Sequence, residues 1–326
     1  MEAYLGIDVG SVTVKFAALN AADGLLASLY LPAAGRPVDV IREGLGKIGR
    51  QLLPDTDIKG VATTGSARYL AWAIVGADII KNEITCQAVA AVKYYPDVRT
   101  VIEIGGQDSK LIIIRNGLVE DFAMNTVCAA GTGSFLDHQA VRLCMSIEEF
   151  SRLAMAGRDS VKISGRCTVF AESDMVHKQQ MGHRVDDIVY GLCRTLVRNY
   201  LSDVGSGKDI RSPVVFQGGV AFNRGIIRAL REELNLEITV PAHPEIMGAI
   251  GAALIAHESM DIKQEDCRFH GFDIGEAEYI TSTFKCDHCP VACEVSQVLR
   301  DRRVLACWGG QCNMWEEANA GMRVKD

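Results

Sequence analysis

The sequence predicts an α/β protein of two related halves, followed by a small cysteine-rich module. Apolar runs of strand length alternate with segments of helical spacing over residues 1–257, a pattern typical of mixed α/β domains. A glycine turn between two apolar runs occurs twice, at residues 8–15 and 105–110. Five of the eleven cysteines lie after residue 280. A chain of 326 residues is long enough to bury two separate cores.

The predicted elements follow in a regular order along the chain. Ser146 and Glu149 form a capping-box pattern that marks one helix start. Residues 258–266 are polar and charged, which predicts a boundary between the α/β part at 1–257 and a linker and cysteine-rich module at 258–326. The predicted strands are 3–7, 12–19, 25–31, 58–62, 101–104, 111–114, 213–217 and 238–240, and the predicted helices are 38–53, 66–74, 83–92, 134–143, 147–156, 168–180, 185–204, 222–234 and 246–256.

The bulk composition narrows the classes of function. A net charge of −7 argues against a general binder of nucleic acid or of anionic membranes. The N-terminus MEAYLGIDVG has no basic leader, and no apolar run reaches the roughly 18 residues of a membrane helix. We therefore expect a cytoplasmic protein in which at least some cysteines bind metal rather than form disulfides.

The first glycine turn has the residue types of a phosphate-binding turn. Gly10 lets the backbone approach a phosphate closely, Ser11 and Thr13 offer hydroxyls, and Lys15 offers a cation. Asp8 is suited to hold Mg²⁺ through water, because Mg²⁺ prefers oxygen ligands and keeps several waters. Taken alone, the pattern fits an ordinary hairpin turn equally well.

The second turn strengthens the interpretation as a nucleotide site. It reads Gly105-Gly106-Gln107-Asp108-Ser109-Lys110, with Asp108 in a role matching that of Asp8. Two lobes, the second starting near residue 98, would each contribute one turn and close on a nucleotide in the cleft. We assign catalytic roles to Asp8, Asp108 and Gln107. Further contacts to the nucleotide are expected from two later segments with small or turn-forming residues. Taken alone, each segment also fits a tight helix–strand junction. The residues are Gly218, Gly219, Val220, Asn223, Pro244 and Glu245.

Two cysteines stand beside predicted helix starts. Cys128 and Cys167 are each close to small residues at such a start, where the helix dipole favours thiolate over thiol. A [4Fe–4S] cluster usually needs four thiolates, so one such pair per chain is completed by a two-fold dimer. The alternative is a pair of buried structural cysteines. Cys86, Cys144 and Cys193 fall within apolar helical patterns, which predicts that they are buried in the core.

Together these segments resemble the actin-like (ribonuclease H-like) ATPase superfamily. Within it they are similar to the ATP-dependent activators, namely activators of 2-hydroxyacyl-CoA dehydratases, ATPase subunits of benzoyl-CoA reductases and reductases of double-cubane cluster proteins. The resemblance covers roughly the first 257 residues and is most specific at Cys128-Ala129-Ala130-Gly131-Thr132-Gly133 and at the segment 165–173. It implies ATP and Mg²⁺ as cofactors and a homodimer that shares one [4Fe–4S] cluster through two cysteines from each subunit.

The resemblance also implies a function and partners. ATP hydrolysis would drive low-potential electrons from a ferredoxin- or flavodoxin-like donor to an iron–sulfur acceptor enzyme, in an anaerobic organism. Two other classes remain open: a small-molecule kinase with structural cysteines, and a non-catalytic nucleotide-binding regulator. Glu83 and Glu172 each fit either a site residue or an ordinary helix residue, and we favour a solvated position for Glu172.

The C-terminal module is a separate question. Cys286, Cys289 and Cys293 are followed by Cys307 and Cys312. Such density predicts a zinc site or a second iron–sulfur cluster rather than packing alone. The module departs from short activators and leaves the identity of the partner enzyme open.

Overall fold

A computed structural model of the chain describes residues 1–125, 127–158, 161–165, 167–263, 265–275, 278–312 and 314–315. By packing, the chain divides into two compact units, one formed by residues 1–83 and 248 onward and the other by residues 84–247. The boundaries near residues 98 and 257 remain predictions from the sequence. No helix among these described residues is long and apolar enough to cross a membrane.

The first unit is built on a five-stranded mixed sheet in the order β3-β2-β1-β4-β5. Seven consecutive residues of β1 are buried, because this central strand is covered on both faces. A proline in the first turn starts α1, whose apolar stripe of Val40, Ile41, Leu45 and Ile48 is buried. The elements are β1 Glu2–Val9, β2 Thr13–Asn20, β3 Leu25–Pro32, α1 Pro37–Gln51, β4 Asp57–Thr64, α2 Arg68–Val75 and β5 Ile79–Ile80.

The second unit repeats this sheet. Its strand order is β10-β9-β6-β7-β8. The strands β6, β7 and β8 are antiparallel, as β1, β2 and β3 are in the first unit. The strand β9 is parallel to β6, as β4 is to β1. The Ser146 hydroxyl accepts a hydrogen bond from the Glu149 N–H at 3.1 Å, which confirms the predicted N-cap. The elements are α3 Glu83–Tyr94, β6 Thr100–Ile104, β7 Ser109–Arg115, β8 Leu118–Asn125, α4 Gly133–Arg142, α5 Ile147–Ala156, α6 Thr168–Gln180, α7 Val185–Tyr200, β9 Val214–Gln217, α8 Arg224–Leu234 and β10 Ile238–Thr239. The next helix, α9 Met247–Lys263, belongs to the first unit from residue 248 onward.

The cysteine-rich segment forms a three-stranded antiparallel sheet that packs within the first unit. Its strands are β11 Tyr279–Lys285, β12 Glu294–Arg300 and β13 Arg303–Trp308. Val298 and Ala306 are buried in the same apolar core as α1 and α2. The Trp308 ring stacks on Tyr69 of α2 with ring centroids 6.3 Å apart. The segment therefore shares a core with the sheet that begins the chain.

Candidate nucleotide and cysteine sites

The first predicted phosphate turn is a tight hairpin between β1 and β2. The Gly10 N–H donates to the Thr13 carbonyl at 3.0 Å, and the strand register places Asp8 opposite Lys15. Asp8 is buried, and its carboxylate lies 3.2 Å from the Lys15 ammonium. Ser11 lies exposed at the tip. The hairpin therefore joins a tip that carries the exposed Ser11 to a buried carboxylate paired with a partly exposed lysine.

The second predicted turn has the same construction between β6 and β7. The Gly105 N–H donates to the Asp108 carbonyl at 3.0 Å, and Gln107 is exposed at the tip. Lys110 is buried and pairs with two carboxylates, Glu103 at 2.8 Å and Asp108 at 3.1 Å. A buried ammonium requires such partners, because an unpaired charge would be costly in this environment.

Superposing the two registers identifies a residue that sequence reasoning missed. Glu103 stands opposite Lys110 as Asp8 stands opposite Lys15. Asp108 occupies the position of Thr13, since each supplies the carbonyl that closes its turn. The signal was present in the sequence, because the lysine follows the acid by seven positions in both hairpins. The catalytic roles of Asp8, Asp108 and Gln107 remain predictions.

The remaining predicted nucleotide residues of the second unit lie around one junction. Gly218 follows β9 with φ +90°, a left-handed value that favours glycine, and its N–H donates to the Pro244 carbonyl at 2.8 Å. Asn223 caps α8 by accepting from the N–H groups of Gly225 and Ile226. Two short 3₁₀ turns meet at this junction. The turn Gly219–Phe222 contains Gly219 and Val220, and the turn Pro244–Ile246 contains Glu245.

Several polar atoms at this junction are buried without a hydrogen-bond partner in the described part of the chain. They are Asn223 Nδ2, Glu245 Oε2 and both polar atoms of the Gln217 side chain. Buried polar groups are normally satisfied, so unpaired ones call for an explanation such as a bound polar molecule. The chemistry of these atoms, both donors and acceptors, fits a nucleotide base or sugar.

The second hairpin is hydrogen-bonded directly to the start of α4. The Gly133 N–H donates to the Gly105 carbonyl and the Ser134 N–H to the Gly106 carbonyl, both at 2.8 Å. A Cβ at Gly133 would lie 2.9 Å from the Gly105 oxygen, so the glycine permits this close approach. The glycine turn and the helix that follows Cys128 are therefore in direct backbone contact.

Cys128 is held in an extended conformation by Asn125. The Asn125 carboxamide accepts from the Cys128 N–H at 2.9 Å and donates to the Cys128 carbonyl at 2.8 Å. Cys128 has φ −98° and ψ 111°, is half-buried, and precedes the 3₁₀ turn Ala129–Gly131. As predicted, it stands just before a helical segment, where N–H groups lack intrahelical partners.

Cys167 is exposed and is the residue immediately before α6, with φ −137° and ψ 135°. Its carbonyl accepts the first helical hydrogen bond from the Ala171 N–H at 2.9 Å. The Ser164 N–H donates to the Asp174 carboxylate at 2.7 Å, which anchors the preceding segment to the same helix. Arg166, part of the predicted motif, lies outside the described residues.

The structure differs from the sequence prediction at two other positions. Glu172 is only 25% exposed and bridges α6 to α4, with Arg142 Nε at 2.8 Å and His138 Nδ1 at 3.6 Å.

Cys86 and Cys193 are buried as predicted, but Cys144 is exposed because α4 ends at Arg142 and the chain turns with φ +55°. Glu83 is the first residue of α3, a position where an acid stabilises the helix dipole.

The C-terminal cysteines lie at one end of the three-stranded sheet. Cys286 and Cys293 flank the β11–β12 loop, where the Cys286 N–H donates to the Cys293 carbonyl at 2.8 Å. Cys286, Cys293 and Cys307 share one small apolar cluster, and burial raises the pKa of the Cys307 thiol. Cys289 and Cys312 are exposed. In the part of the chain that the structure describes, no three His, Cys, Asp or Glu side chains are placed to hold a metal ion.

The two units share one sheet order, and each has a glycine hairpin in which a buried carboxylate pairs with a lysine. These features define an α/β ATPase of the actin-like class. Solved structures agree with this fold class. The ethanolamine utilization protein EutJ of Carboxydothermus hydrogenoformans matches 77% of this chain and 89% of its own with a TM-score of 0.53 at 17% identity. Identity this low supports the fold alone.

The sequence profile of the BadF/BadG/BcrA/BcrD ATPase family matches residues 5–256, and the chain belongs to that family. It is 37% identical over 260 residues to the (R)-2-hydroxyglutaryl-CoA dehydratase activating ATPase of Acidaminococcus fermentans, covering 78% of this chain and 96% of that protein. The solved activator of 2-hydroxyisocaproyl-CoA dehydratase from Clostridium difficile, with bound ADPNP, matches 80% of this chain and 97% of its own at TM-score 0.73 and 34% identity. The three-stranded sheet lies beyond the matched residues.

Proposed function

We propose that this protein is an ATP-hydrolysing activator that delivers low-potential electrons to a partner iron–sulfur enzyme. In this proposal two copies of the chain share one [4Fe–4S] cluster. The observation that carries the proposal is the direct hydrogen bonding between the second glycine turn and the start of α4, just after Cys128. A phosphate-type turn is thereby bonded to a helix start that only the short 3₁₀ turn Ala129–Gly131 and Thr132 separate from a candidate metal thiolate.

The nucleotide part of the proposal rests on the two hairpins and the Gly218 junction. Backbone N–H groups near Gly10 and Gly105 would bind phosphates, and Lys15 would balance their charge. The unpaired atoms of Asn223 and Glu245 would pair with the nucleoside. Asp8 and Asp108 would orient Mg²⁺ through water, and the ion, when bound, neutralises charge that develops on the transferring phosphate. The ADPNP-bound relative supports a nucleotide as the ligand.

The cluster part rests on the two cysteines. Cys128 and Cys167 are each placed before a helical segment, and neither is in a disulfide. Two thiolates are half of what a [4Fe–4S] cluster needs, so a second copy would complete the set by symmetry. When bound, such a cluster stores and passes one electron at low potential. The chain places both thiols directly before helical segments, Cys128 before the 3₁₀ turn Ala129–Gly131 and Cys167 before α6.

Exposed apolar side chains beside both cysteines support the homodimer. Val127 is 94% exposed next to Cys128, and Val169 and Phe170 are 66% and 68% exposed just after Cys167. Large apolar groups clustered at a surface are typical of interaction sites. Burying them against the same surface of a second copy would remove apolar area from water and bring the four cysteines together.

ATP is needed for an energetic reason. Transfer of an electron to an acceptor of very low potential is uphill from a ferredoxin- or flavodoxin-like donor. Cluster potential depends on charge, hydrogen bonds to sulfur and solvent exposure. A nucleotide-dependent shift of the second turn would move the start of α4, and with it the surroundings of Cys128. The acceptor would be an iron–sulfur enzyme of the 2-hydroxyacyl-CoA dehydratase, benzoyl-CoA reductase or double-cubane type.

The experiment is anaerobic measurement of iron content and solution mass. The wild-type protein should be brown, dimeric and carry about four irons per dimer. Cys128→Ser and Cys167→Ser should each change two of the four ligands, because symmetry doubles every substitution. Both variants should lose iron or hold it weakly, and the dimer should weaken because metal–thiolate bonds help join the subunits.

Cys144→Ser is the matched control, since Cys144 is also exposed and lies at the other end of α4. This variant should keep its iron and its mass. A full, stable cluster in both single-cysteine variants would show that the ligand assignment is wrong. An intact cluster in a wild-type monomer would show that the two-plus-two arrangement is wrong.

A metal in the C-terminal sheet is a separate proposal. Three of its five cysteines, Cys286, Cys293 and Cys307, pack in one small apolar core. The other two, Cys289 and Cys312, are exposed. Zinc would pin this sheet as a structural element, whereas a second iron–sulfur cluster would extend the electron path. The chemistry of the cysteine set suits either metal.

A further inference from the structure

We infer that Asn199 of α7 is a positioning residue that sets the spacing of the two candidate cluster cysteines within one chain. This inference rests on the proposed function, because it concerns the cysteines assigned there to the cluster. It adds a group outside both cysteine motifs, on a helix that carries neither ligand.

The Asn199 carboxamide bonds to both cysteine segments. Its Nδ2 donates to the Ala130 carbonyl at 3.3 Å and also to the Gly165 carbonyl. Ala130 is two residues after Cys128, and Gly165 is two residues before Cys167. A carboxamide nitrogen carries two hydrogens, so a single side chain can hold both carbonyls at once.

One face of α7 contacts the described residues 161–165 that precede Cys167. Gly191, Thr195 and Asn199 are four residues apart and therefore lie on one helix face. The Thr195 hydroxyl donates to the Ile163 carbonyl at 3.2 Å. A Cβ at Gly191 would overlap the Val161 carbonyl, and one at Gly165 would overlap the Thr195 methyl. The segment thus lies against the helix with no space for an added side chain.

The Cys128 segment meets the C-terminal end of the same helix. A Cβ at Gly131 would lie 3.4 Å from the Tyr200 Cα, so the 3₁₀ turn after Cys128 packs against the α7 backbone. The buried Tyr200 hydroxyl donates to the Lys110 carbonyl at 2.9 Å, and burial raises the pKa of this phenol well above its usual value. The hydroxyl is therefore a stable neutral donor that ties α7 to the second hairpin.

These contacts have a consequence for metal binding. Cluster ligands have to be held at fixed separations, and replacing a group that orients a ligand typically costs about 10–100-fold in metal affinity. Among the described residues, Asn125 bonds to the Cys128 segment and Asp174 bonds to the segment before Cys167. Asn199 bonds to both segments through one nitrogen, so it acts on their relative position.

The test compares iron release from the anaerobically purified wild-type protein and three variants. Asn199→Asp keeps the side chain's size but removes both N–H donors, and Asn199→Ala removes the whole group. Arg198→Ala is the matched control, because Arg198 is the preceding residue of α7 and pairs with Glu233 at 2.9 Å rather than with a cysteine segment. Iron transfer to a chelator and the electron paramagnetic resonance spectrum of the reduced cluster are measured for each.

Both Asn199 variants should release iron about tenfold faster than wild type and show an altered spectrum, with an unchanged far-ultraviolet circular dichroism spectrum. Arg198→Ala should match wild type in all three measurements. If Asn199→Ala fails to fold, Asn199→Ser, which keeps one donor, should show an intermediate release rate.

Three results would overturn the inference. If the wild-type protein contains no iron, both the proposed function and this inference are wrong. If the wild type contains iron but the Asn199 variants release it at the wild-type rate, only the positioning role is wrong. Equal acceleration in Arg198→Ala would mean that any loosening of α7 releases iron, so that Asn199 has no specific role.

Discussion

The two glycine hairpins have the same backbone but different surroundings. In each, an acid lies opposite a lysine seven residues later, and the turn is closed by a 3.0 Å backbone hydrogen bond. Lys15 is 16% exposed and has Asp8 beside it, whereas Lys110 is 3% exposed and contacts both Glu103 and Asp108. The first lysine is therefore better placed to reach a ligand, and the second is better placed to stabilise its own hairpin.

The hairpins also differ in what they are bonded to. The Val9 carbonyl at the end of β1 accepts from the Ala67 N–H at 3.0 Å, which ties the first hairpin to the loop before α2. The second hairpin is tied through Gly105 and Gly106 to the start of α4. Among the described residues, backbone hydrogen bonds join the second hairpin, but not the first, to a segment that follows a candidate cluster cysteine. In the proposed function, both hairpins have a role in nucleotide binding.

The largest effect is expected for the carboxylates. Asp8→Ala and Asp108→Ala should each reduce Mg²⁺-dependent ATP hydrolysis at least about 100-fold, because each removes a group proposed to orient Mg²⁺. The fold and the brown colour should be retained. Steady-state phosphate release measures the effect, and Asp121→Ala, an exposed acid paired with Lys208, is the control. Normal turnover in both variants would remove the catalytic assignment.

A stability measurement tests the different burial of the two lysines. Glu103→Gln should lower the free energy of unfolding by about 3 kcal/mol, because it removes one of the two carboxylates beside the buried Lys110 ammonium. Asp8→Asn should cost less, since water reaches Lys15 more easily. Urea unfolding of both variants gives the comparison. Equal losses would contradict the distinction between the hairpins.

Two glycine substitutions test the different attachments. A Cβ at Gly65 would lie 2.5 Å from Asp8 Oδ1, and one at Gly133 would lie 2.9 Å from the Gly105 oxygen. Both Gly65→Ala and Gly133→Ala should weaken nucleotide binding about tenfold, since overpacking of this size costs about 1–3 kcal/mol. Only Gly133→Ala should also speed iron release. Calorimetric titration and a chelator assay distinguish these outcomes, and faster iron release from Gly65→Ala would contradict the comparison.

The smallest effect on ATP hydrolysis is expected from the C-terminal sheet. The double substitution of Cys286 and Cys289 by serine should release metal from this sheet while leaving the interface iron and hydrolysis unchanged. Cys267→Ser is the control, because burial raises the pKa of Cys267 to about 12 and its thiol donates to Asp78. Elemental analysis of wild type that finds no metal beyond the interface iron would reject a second site.

Much of the fold follows from local pattern. The strands of both hairpins, the cap at Ser146 and the helices after Cys128 and Cys167 are where apolar spacing, glycine turns and capping residues predict them. The actin-like α/β class is confirmed by the repeated sheet and by the comparisons. These features could be predicted because residues close in sequence determine them.

The features that sequence reasoning missed either have a weak local pattern or depend on distant contacts. β8 is an edge strand with most residues exposed, so it shows no alternation of buried and exposed positions. The strands of the C-terminal sheet were not predicted, because the cysteine spacing of this segment was interpreted as a metal-binding pattern. The partners of Glu172 and Asn199 lie on other elements, 30 or more residues away, and periodicity does not report such pairs.

Trp308 packs on Tyr69 of α2, so the tryptophan of the added sheet lies in the first unit. The chain has three tryptophans, Trp72, Trp308 and Trp315, and all belong to the first unit with its added sheet. The sequence from 84 to 247 contains none. Intrinsic tryptophan emission therefore reports on the first unit alone, and events at Cys128 or Cys167 need a probe placed elsewhere.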